Sequence, residues 1–362
     1  MVAKVHVVLF LGGLGGSPVA EMVADCHCAI AQDTIERSRM AGVFDGVILV
    51  TEWKEVDPSV VVERSGSPFH FGKKLREIIQ KYSIERPFYI GGGSIPLLDS
   101  DGLRALGEKL SSLEDMVITN NPFSADMVAF TPGKAIEAIE LPATDNPLAQ
   151  LLVRQAGLSE VSLPRTAAYQ FDVDTPTDLL ILKLHPGIGG HTRAYLEGLA
   201  LDTSRLESAI SLFTDQDTQV LVAGRVGSNV WSQLESETAC RVRVLAEERS
   251  MRVDERERRD EVRTILGFYL EQVGAEPFFE TLAELGDAAF IDTRVLFTHF
   301  GLELSVADRF YSDLGQYPKI DNPFAREFTQ KAVEAPIPVI LGGHSLVSGG
   351  LLALIEIARL GH

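Results

Sequence analysis

Cysteine is scarce, with three in 362 residues, and two of them, Cys26 and Cys28, stand one residue apart. So few thiols, so close together, build no disulfide framework and suit a reducing compartment. Cys26-His27-Cys28 has the residue types of a metal site, but alternate residues on a helix point apart, so buried or bystander thiols are expected. Long apolar runs are also missing. Residues 5–14 and 337–341 are strand-length, short of the ~20 residues that a bilayer-crossing helix needs. The start, Met1-Val2-Ala3-Lys4, runs straight into a β-branched stretch, without the charged, apolar and small-residue parts of an export signal. The expectation is a soluble, cytoplasmic protein with no membrane partner. Basic residues are in deficit, 33 against 51 acidic, for a net charge of −18. The average field repels polyanions, so no nucleic acid partner is expected. A small phosphorylated ligand remains open, because a glycine turn or a bound Mg²⁺ can reverse the field at one site.

What is present is ample apolar material, 45% of 362 residues, more chain than one core usually organises. Strand-like and helical runs alternate from the start. Strands are predicted over 4–11, 46–51, 87–91, 116–119 and 127–131, with helices through 34–39 and over 73–82, 102–112 and 145–156. Residues 64–72 read as a loop. This rhythm predicts an α/β fold, a mixed, mostly parallel Rossmann-like sheet with flanking helices. His185-Pro186-Gly187-Ile188-Gly189-Gly190 is the strongest punctuation. The predicted organisation is a first domain over 1–185, a helical linker over 186–215 carrying helices 192–199 and 203–212, and a second α/β domain over 216–362. In the latter, strands are expected over 219–223, 241–246, 288–292 and 338–341, helices over 229–237 and 349–360, and a solvated helix face or loop over 247–263.

Two segments of the first half carry candidate chemistry. Leu11-Gly12-Gly13-Leu14-Gly15-Gly16-Ser17-Pro18 follows the opening strand. Glycines there let backbone N–H groups approach a phosphate or base, and a following helix adds its N-terminal partial charge. No Gly-Lys-Ser/Thr follows, so it is not a P-loop, nor is it a dinucleotide fingerprint. The second segment is Phe171-Asp172-Val173-Asp174-Thr175-Pro176-Thr177-Asp178-Leu179. Two carboxylates one residue apart on a strand end point to the same side, so Asp172 and Asp174 can approach one divalent cation. Thr175-Pro176 then opens a helix that Asp178 favours electrostatically.

Taken together, the glycine turn, the stretch from Asp33-Thr34-Ile35-Glu36-Arg37 to Val50-Thr51, Gly93-Ser94-Ile95-Pro96-Leu97-Leu98 and the Asp172–Leu179 segment resemble the glycosyltransferase-A-type nucleotidyltransferases. Within that group the pattern is similar to molybdenum-cofactor guanylyl- or cytidylyltransferase-like proteins and phospholactate guanylyltransferases. The resemblance covers about the first half of the chain. It implies transfer of a nucleoside monophosphate from a nucleoside triphosphate to a small phosphorylated acceptor, releasing pyrophosphate. It further implies nucleotide binding by Gly12, Gly13, Gly15, Gly16, Gly93 and Ser94, catalytic roles for Asp174 and Asp172, and Mg²⁺ held by Asp174. Two departures stand out. No lysine or arginine occurs between Lys4 and Arg37, where the family's loop carries both. Gly93-Ser94-Ile95-Pro96 replaces Gly-Asp-x-Pro, and a hydroxyl is a far poorer Mg²⁺ ligand than a carboxylate. Asp99, Asp101 or Asp126 are candidate substitutes for that acid. His70, Lys73, Lys74 and Arg165 are candidate sources of positive charge, the adjacent lysines reading more simply as solvent-facing.

The second half has its own glycine turns. Val222-Ala223-Gly224-Arg225-Val226-Gly227-Ser228-Asn229 joins a strand to a helix and pairs a turn with a guanidinium, suited to phosphate or carboxylate. Leu341-Gly342-Gly343-His344-Ser345-Leu346-Val347-Ser348-Gly349-Gly350 places donors at a strand end, the usual ligand crevice of an α/β sheet. Arg225, Gly343, His344 and Ser345 are therefore a second candidate site. Gly-His-Ser-Leu lacks the nucleophile elbow, which argues against hydrolase chemistry. Arg241, Arg243, Glu247, Glu248 and Arg249 read equally as site or as ion pairs. The leading expectation is a Mg²⁺-dependent nucleotidyltransferase-like protein. The rivals are a non-catalytic nucleotide-binding or scaffold protein on a degenerate transferase fold, and a chain whose second half is the catalyst. A homo-oligomer is left open.

Overall fold

The structure, a computed structural model, describes residues 5–13, 15–54, 60–122, 124–249, 251 and 256–361. Lys4 and Leu14, which the expected first strand and glycine turn include, and 250 and 252–255 of the charged stretch lie outside the described residues. The chain forms two compact units. The first comprises Met1–Gly13, Cys26–Gln170 and Gly189–Thr192, and the second Leu14–Asp25, Phe171–Ile188 and Arg193–His362.

The first unit is built on seven strands: β1 (Val5–Leu11), β2 (Gly46–Thr51), β3 (Val61–Glu63), β4 (Arg86–Gly91), β5 (Met116–Thr119), β6 (Met127–Thr131) and β7 (Ser159–Ser162). They lie in the order β3-β2-β1-β4-β6-β5-β7. Pairings are parallel except at β4–β6 and β5–β6, where β6 runs antiparallel. This is the expected α/β class with a mixed, mostly parallel sheet. Its central strand is apolar at nearly every position because both faces are covered. Val7, Leu9 and Leu11 pack with Ile35 of helix Pro18–Ala41 and with Leu103, Leu106 and Leu110 of helix Ser100–Ser112. Val8 and Phe10 pack on the other face with Phe71, Leu75, Ile78 and Ile79 of helix Phe71–Lys81. From β1 the chain steps outward to β2 and β3, then returns to lay β4 on the other flank of β1, so the strand order reverses between β1 and β4.

The second unit holds a four-stranded sheet of β8 (Gln219–Gly224), β9 (Arg241–Ala246), β10 (Ala288–Asp292) and β11 (Val339–Gly342). The order is β11-β10-β8-β9 and every pairing is parallel. One face is covered by an aromatic cluster in which Phe278, Phe279, Phe297 and Phe328 are buried, with the Phe279 and Phe328 rings 5.0 Å apart. Each such ring contributes roughly 1.5–3 kcal/mol by leaving water. Here the order reverses between β8 and β10. β9 is an edge strand whose exposed positions include Arg241 and Arg243.

Several expectations are corrected. Residues 145–156 form a helix only over Leu148–Ala156, with Pro147 as its cap, since a proline ring pre-sets a first turn without supplying a side-chain acceptor. The linker helices are Gly190–Glu197 and Ser204–Ser211. The closing helix is Leu351–Leu360, preceded by a π-type turn, Leu346–Gly350, with Ser348 at φ −126° and ψ −108°. Residues 171–188 pack with the second unit, whereas the expected division assigned those up to 185 to the first. The reason is local: Thr177 Oγ1 in helix Pro176–Leu184 donates 2.7 Å to the carbonyl of Leu341 in β11. Lys73 is solvent-facing, but Lys74 is buried, with Nζ 3.0 Å from Glu77 and 3.7 Å from Glu63. Cys26, Cys28 and Cys240 are buried thiols in no disulfide. Among the described residues, no helix is long and apolar enough to cross a membrane.

Candidate functional site

In the first unit, Gly12 and Gly13 follow β1 at its carboxyl end and are exposed. A Cβ added at either would meet nothing within 4 Å, so their backbone is open to an approaching group. The turn after the neighbouring strand β4 lies against the end of β1: a Cβ on Gly92 would sit 2.8 Å from Leu11 Cδ1 and 3.1 Å from the Phe10 carbonyl. That turn is tight, with Ser94 N donating 3.1 Å to the Gly91 carbonyl. Gly93 and Ser94 are buried, Ser94 being only 3% exposed. Ile95 follows at φ +48°, a conformation that a β-branched residue holds only at a cost of about 1–3 kcal/mol and that concentrates in functional loops. Gly15 and Gly16, also exposed, fall in the second unit.

Arg37 pins this loop, its Nη1 donating 2.7 Å to Pro96 O and 3.0 Å to Leu98 O. Burial lowers its pKa, opposed by the charges of Asp33, Asp99 and Glu36. Asp99 is committed to capping helix Ser100–Ser112, accepting 2.8 Å from Gly102 N. Asp101 is exposed and paired with Arg104 at 2.7 Å. Asp126 is half-buried, its carbonyl accepting from Gly91 N. His70 caps helix Phe71–Lys81, and Arg165 is exposed. Asp33, Glu36 and His191 bring three ligand atoms within 4.8 Å of one another. The Asp33 oxygens, however, already accept from His191 N, Thr192 N and Thr192 Oγ1 at 2.9, 2.9 and 2.5 Å.

In the second unit the carboxyl edge of the sheet is a buried network of charge. Gly224 ends β8 at φ +120°, where a Cβ would stand 2.4 Å from Asp292 Cβ, so only glycine fits. Arg225 then forks onto Asp292 at the end of β10, Nε to Oδ2 at 2.5 Å and Nη2 to Oδ1 at 3.0 Å. Burial acts against ionising Asp292, but Arg225 outweighs it and the carboxyl pKa is lowered. Arg294 forks onto Asp313 in the same way, with both contacts at 2.6 Å. Thr293 Oγ1 donates 3.1 Å to Gly342 O, tying β10 to the end of β11.

The segment ahead of Thr175 meets this network. Asp172 makes only an isolated bridge rather than a strand end, so the alternation expected to aim Asp172 and Asp174 to one side does not apply. Asp172 is half-buried and its carbonyl accepts 2.5 Å from Ser345 Oγ; Asp174 is exposed. Thr175 and Asp178 close a capping box on helix Pro176–Leu184. Asp178 Oδ2 accepts from Asp174 N, Thr175 N and Thr175 Oγ1 at 2.8–3.0 Å, while its buried Oδ1 has no partner among the described residues. Burial, then the charge of Asp174, pushes the Asp178 carboxyl up to about 7. His344 is half-buried. Burial, and next the charge of Arg225, push its imidazole down to about 4, with Asp292 and Asp174 opposing and Arg249 assisting.

The structure thus brings Asp172, Asp174, Arg225, Gly343, His344 and Ser345 into one unit, together with Asp292, Arg294, Asp313 and Asp178. The sequence reading passed over Asp292, Arg294 and Asp313. A signal existed in Ala288-Ala289-Phe290-Ile291-Asp292, where the only charge of a buried strand stands at its carboxyl end.

No protein-family model and no curated protein matches the chain. Among solved structures it is similar to a cytidylyltransferase from Leptospira borgpetersenii, with a TM-score of 0.39 and 18% identity over 54% of this chain and 92% of that one. It is also similar to the bifunctional IspDF from Campylobacter jejuni, with a TM-score of 0.34 and 10% identity over 46% of this chain and 51% of that one. A third likeness is to CMP:2-keto-3-deoxy-manno-octonic acid synthetase complexed with CTP, with a TM-score of 0.34 and 15% identity over 50% of this chain and 97% of that one.

Proposed function

We propose that the first unit binds a nucleotide at the reversal between β1 and β4. On this reading the chain is nucleotidyltransferase-like, moving a nucleoside monophosphate from a triphosphate to a small phosphorylated acceptor with Mg²⁺. The observation that carries it is the open Gly12–Gly13 turn, which ends β1 beside the turn after β4 where the strand order reverses. In open α/β sheets that crevice is where ligands bind. Exposed glycine N–H groups there are free of side-chain obstruction and suit phosphate oxygens. Arg37 holds the second turn in place through two carbonyls. In the transfer an acceptor phosphate oxygen bonds to the α-phosphorus and pyrophosphate leaves with the bonding pair.

Asp174, a residue of the second unit, is an exposed carboxylate with no side-chain hydrogen bond among the described residues and has the chemistry of a hard-cation ligand within that unit. Mg²⁺ binds through one or two such groups and otherwise keeps water and phosphate oxygens. When bound, it supplies neutralising charge to the phosphates. Ser94 does not fit, being neutral and buried. That one observation favours the second reading, a nucleotide-binding protein without turnover.

Thermal shift against ATP, CTP, GTP and UTP, with and without Mg²⁺, tests the first claim. At a hundredfold excess over Kd, a bound nucleotide stabilises by about 2.7 kcal/mol. Gly13→Val is expected to leave the unliganded midpoint within about 0.5 kcal/mol of stability and to abolish the nucleotide shift. No shift with any triphosphate, or a full shift retained in Gly13→Val, defeats the binding reading. Pyrophosphate release with phosphorylated acceptors then separates transferase from sensor.

A further inference from the structure

We infer that the first unit carries a site for a borderline divalent cation of the Zn²⁺ type, formed by Asp33, Glu36 and His191. All three residues belong to that unit. Asp33 and Glu36 stand three positions apart on helix Pro18–Ala41, a spacing that puts two side chains on one face of a helix, one turn apart. His191 comes from the opening turn of helix Gly190–Glu197. One ligand atom from each residue, two carboxylate oxygens and an imidazole nitrogen, lie within 4.8 Å of one another. Within that group His191 Nε2 is 3.8 Å from Glu36 Oε2.

The backbone fixes this convergence. Asp33 is buried, and its Oδ1 accepts from His191 N at 2.9 Å, so the residue that supplies the imidazole is bonded to the one that supplies the first carboxylate. Oδ2 accepts from Thr192 N at 2.9 Å and from Thr192 Oγ1 at 2.5 Å. Gly189 permits the approach, since a Cβ there would stand 2.1 Å from Asp33 Cγ and 2.4 Å from Oδ1. Each carboxylate oxygen has two lone pairs. Oδ2 uses both and Oδ1 one, which leaves Oδ1 able to ligate. The Glu36 and His191 side chains are 61% and 50% exposed, so both have room to close on an ion. Zn²⁺ bonds of about 2.0–2.2 Å set tetrahedral neighbours about 3.4 Å apart, so closure asks the exposed pair to move by no more than about 1.5 Å.

The donor set selects the cation. Mg²⁺ and Ca²⁺ take oxygen, so an imidazole among three ligands speaks against both. An imidazole with two carboxylates suits a borderline ion such as Zn²⁺, and three protein ligands leave a fourth position for water. The two carboxylates balance the ion's charge. Arg37, the cation whose charge acts on Asp33 and Glu36, is engaged with the carbonyls of Pro96 and Leu98. A helix cap accounts for Asp33, and a weak surface ion pair for Glu36 and His191. Neither requires that donors from all three residues gather in one place. The bound ion joins the segment Gly189–Thr192 to the helix face bearing Asp33 and Glu36, reinforcing the bonds that Asp33 already makes there.

The test is calorimetric titration of the metal-free full chain with Zn²⁺ and with Mg²⁺, without nucleotide, alongside X-ray absorption of the Zn²⁺-loaded protein. A saturable Zn²⁺ site that excess Mg²⁺ does not displace is expected, with only nitrogen and oxygen around the ion and one imidazole among them. Glu36→Gln and His191→Ala should each weaken it by about tenfold or more, at least what losing a partner outside the metal's own shell costs. Both positions are exposed, and both variants keep the Asp33 hydrogen bonds, which run to backbone N–H groups and Thr192. Unchanged circular dichroism is therefore expected, and a loss of affinity reports ligation. Gly13→Val should leave Zn²⁺ binding unchanged, so this result and the nucleotide result are read separately. Asp33 is left alone, since its removal would strip His191 N and Thr192 N of their acceptor. Absence of saturable Zn²⁺ binding, displacement by Mg²⁺, sulfur at about 2.3 Å from the ion, or an affinity indifferent to Glu36→Gln and His191→Ala each overturns the proposal.

Discussion

Two titratable side chains in the second unit are displaced in opposite directions by the same cause. Burial disfavours charge, so it lifts the Asp178 carboxyl to about 7 and lowers the His344 imidazole to about 4. For His344 the folded value lies below the unfolded one. The unfolded chain therefore gains a proton between about pH 6.5 and 4 that the folded chain refuses. Its contribution to stability is complete above pH 6.5 and is lost as pH falls through that window. The size is no more than about 3 kcal/mol, reduced by solvent screening of a half-buried ring. The expected outcome is a His344 proton resonance titrating near pH 4 and a flatter acid limb of stability against pH in His344→Gln. A midpoint near 6.5 would contradict the environment described. His344 was legible as a candidate in the sequence because glycines and serines surround it. Asp178 was legible only as a helix cap, since its orphaned oxygen depends on packing that no local pattern encodes.

Elements were most legible where composition and burial agree. The β-branched and apolar stretches of β2, β5, β6, β9 and β10 were expected with the bounds they have. The three-residue β3 and the largely exposed Ser-Glu-Val-Ser of β7 carry no such signal and were missed. The helices between 265 and 334 were not among the expectations, and their starts are set by caps such as Thr264, Ser305 and Asn322. Least legible was the junction of the segment at 172–178 with the loop at 341–345, made by the bonds from Thr177 and Ser345 across more than 160 residues. The Arg294–Asp313 fork lies at the same junction, where Thr177 Oγ1 also meets the Asp313 carbonyl at 3.4 Å. Arg294→Met removes the guanidinium forked onto the buried Asp313, whose pKa burial already raises, an expected cost of about 3–5 kcal/mol in chemical denaturation. Replacing Asp313 by leucine in that background should restore most of the loss. Equal instability of single and double variants would show that the ion pair is not what Arg294 contributes.

At the scale of the whole molecule, each unit presents a parallel-strand reversal, and each reversal has its own polar edge. The net charge of −18 says nothing about either edge, because the average field and the local donors are separate quantities. It does forecast behaviour toward long polyanions: mobility-shift titration with duplex DNA at physiological salt is expected to show no retarded species. Salt-sensitive retardation would mean that local donors outweigh the average field. The two-part organisation was legible from length and alternation. The membership of 171–188 was not, because chain punctuation at 185–190 marks a loop and says little about which core the preceding helix joins.

The two guanidinium groups on the outer face of β9 bear on how copies of this chain meet at high concentration. A strand with open amides invites a twin to zip alongside it, and a lengthening ribbon could follow. Two such strands brought abreast would press like charges together on one face at every second residue, a penalty repeated along the seam. The border of the smaller sheet is thereby unfit for self-templating, and concentrated solutions of the protein are protected there from fibrous assembly.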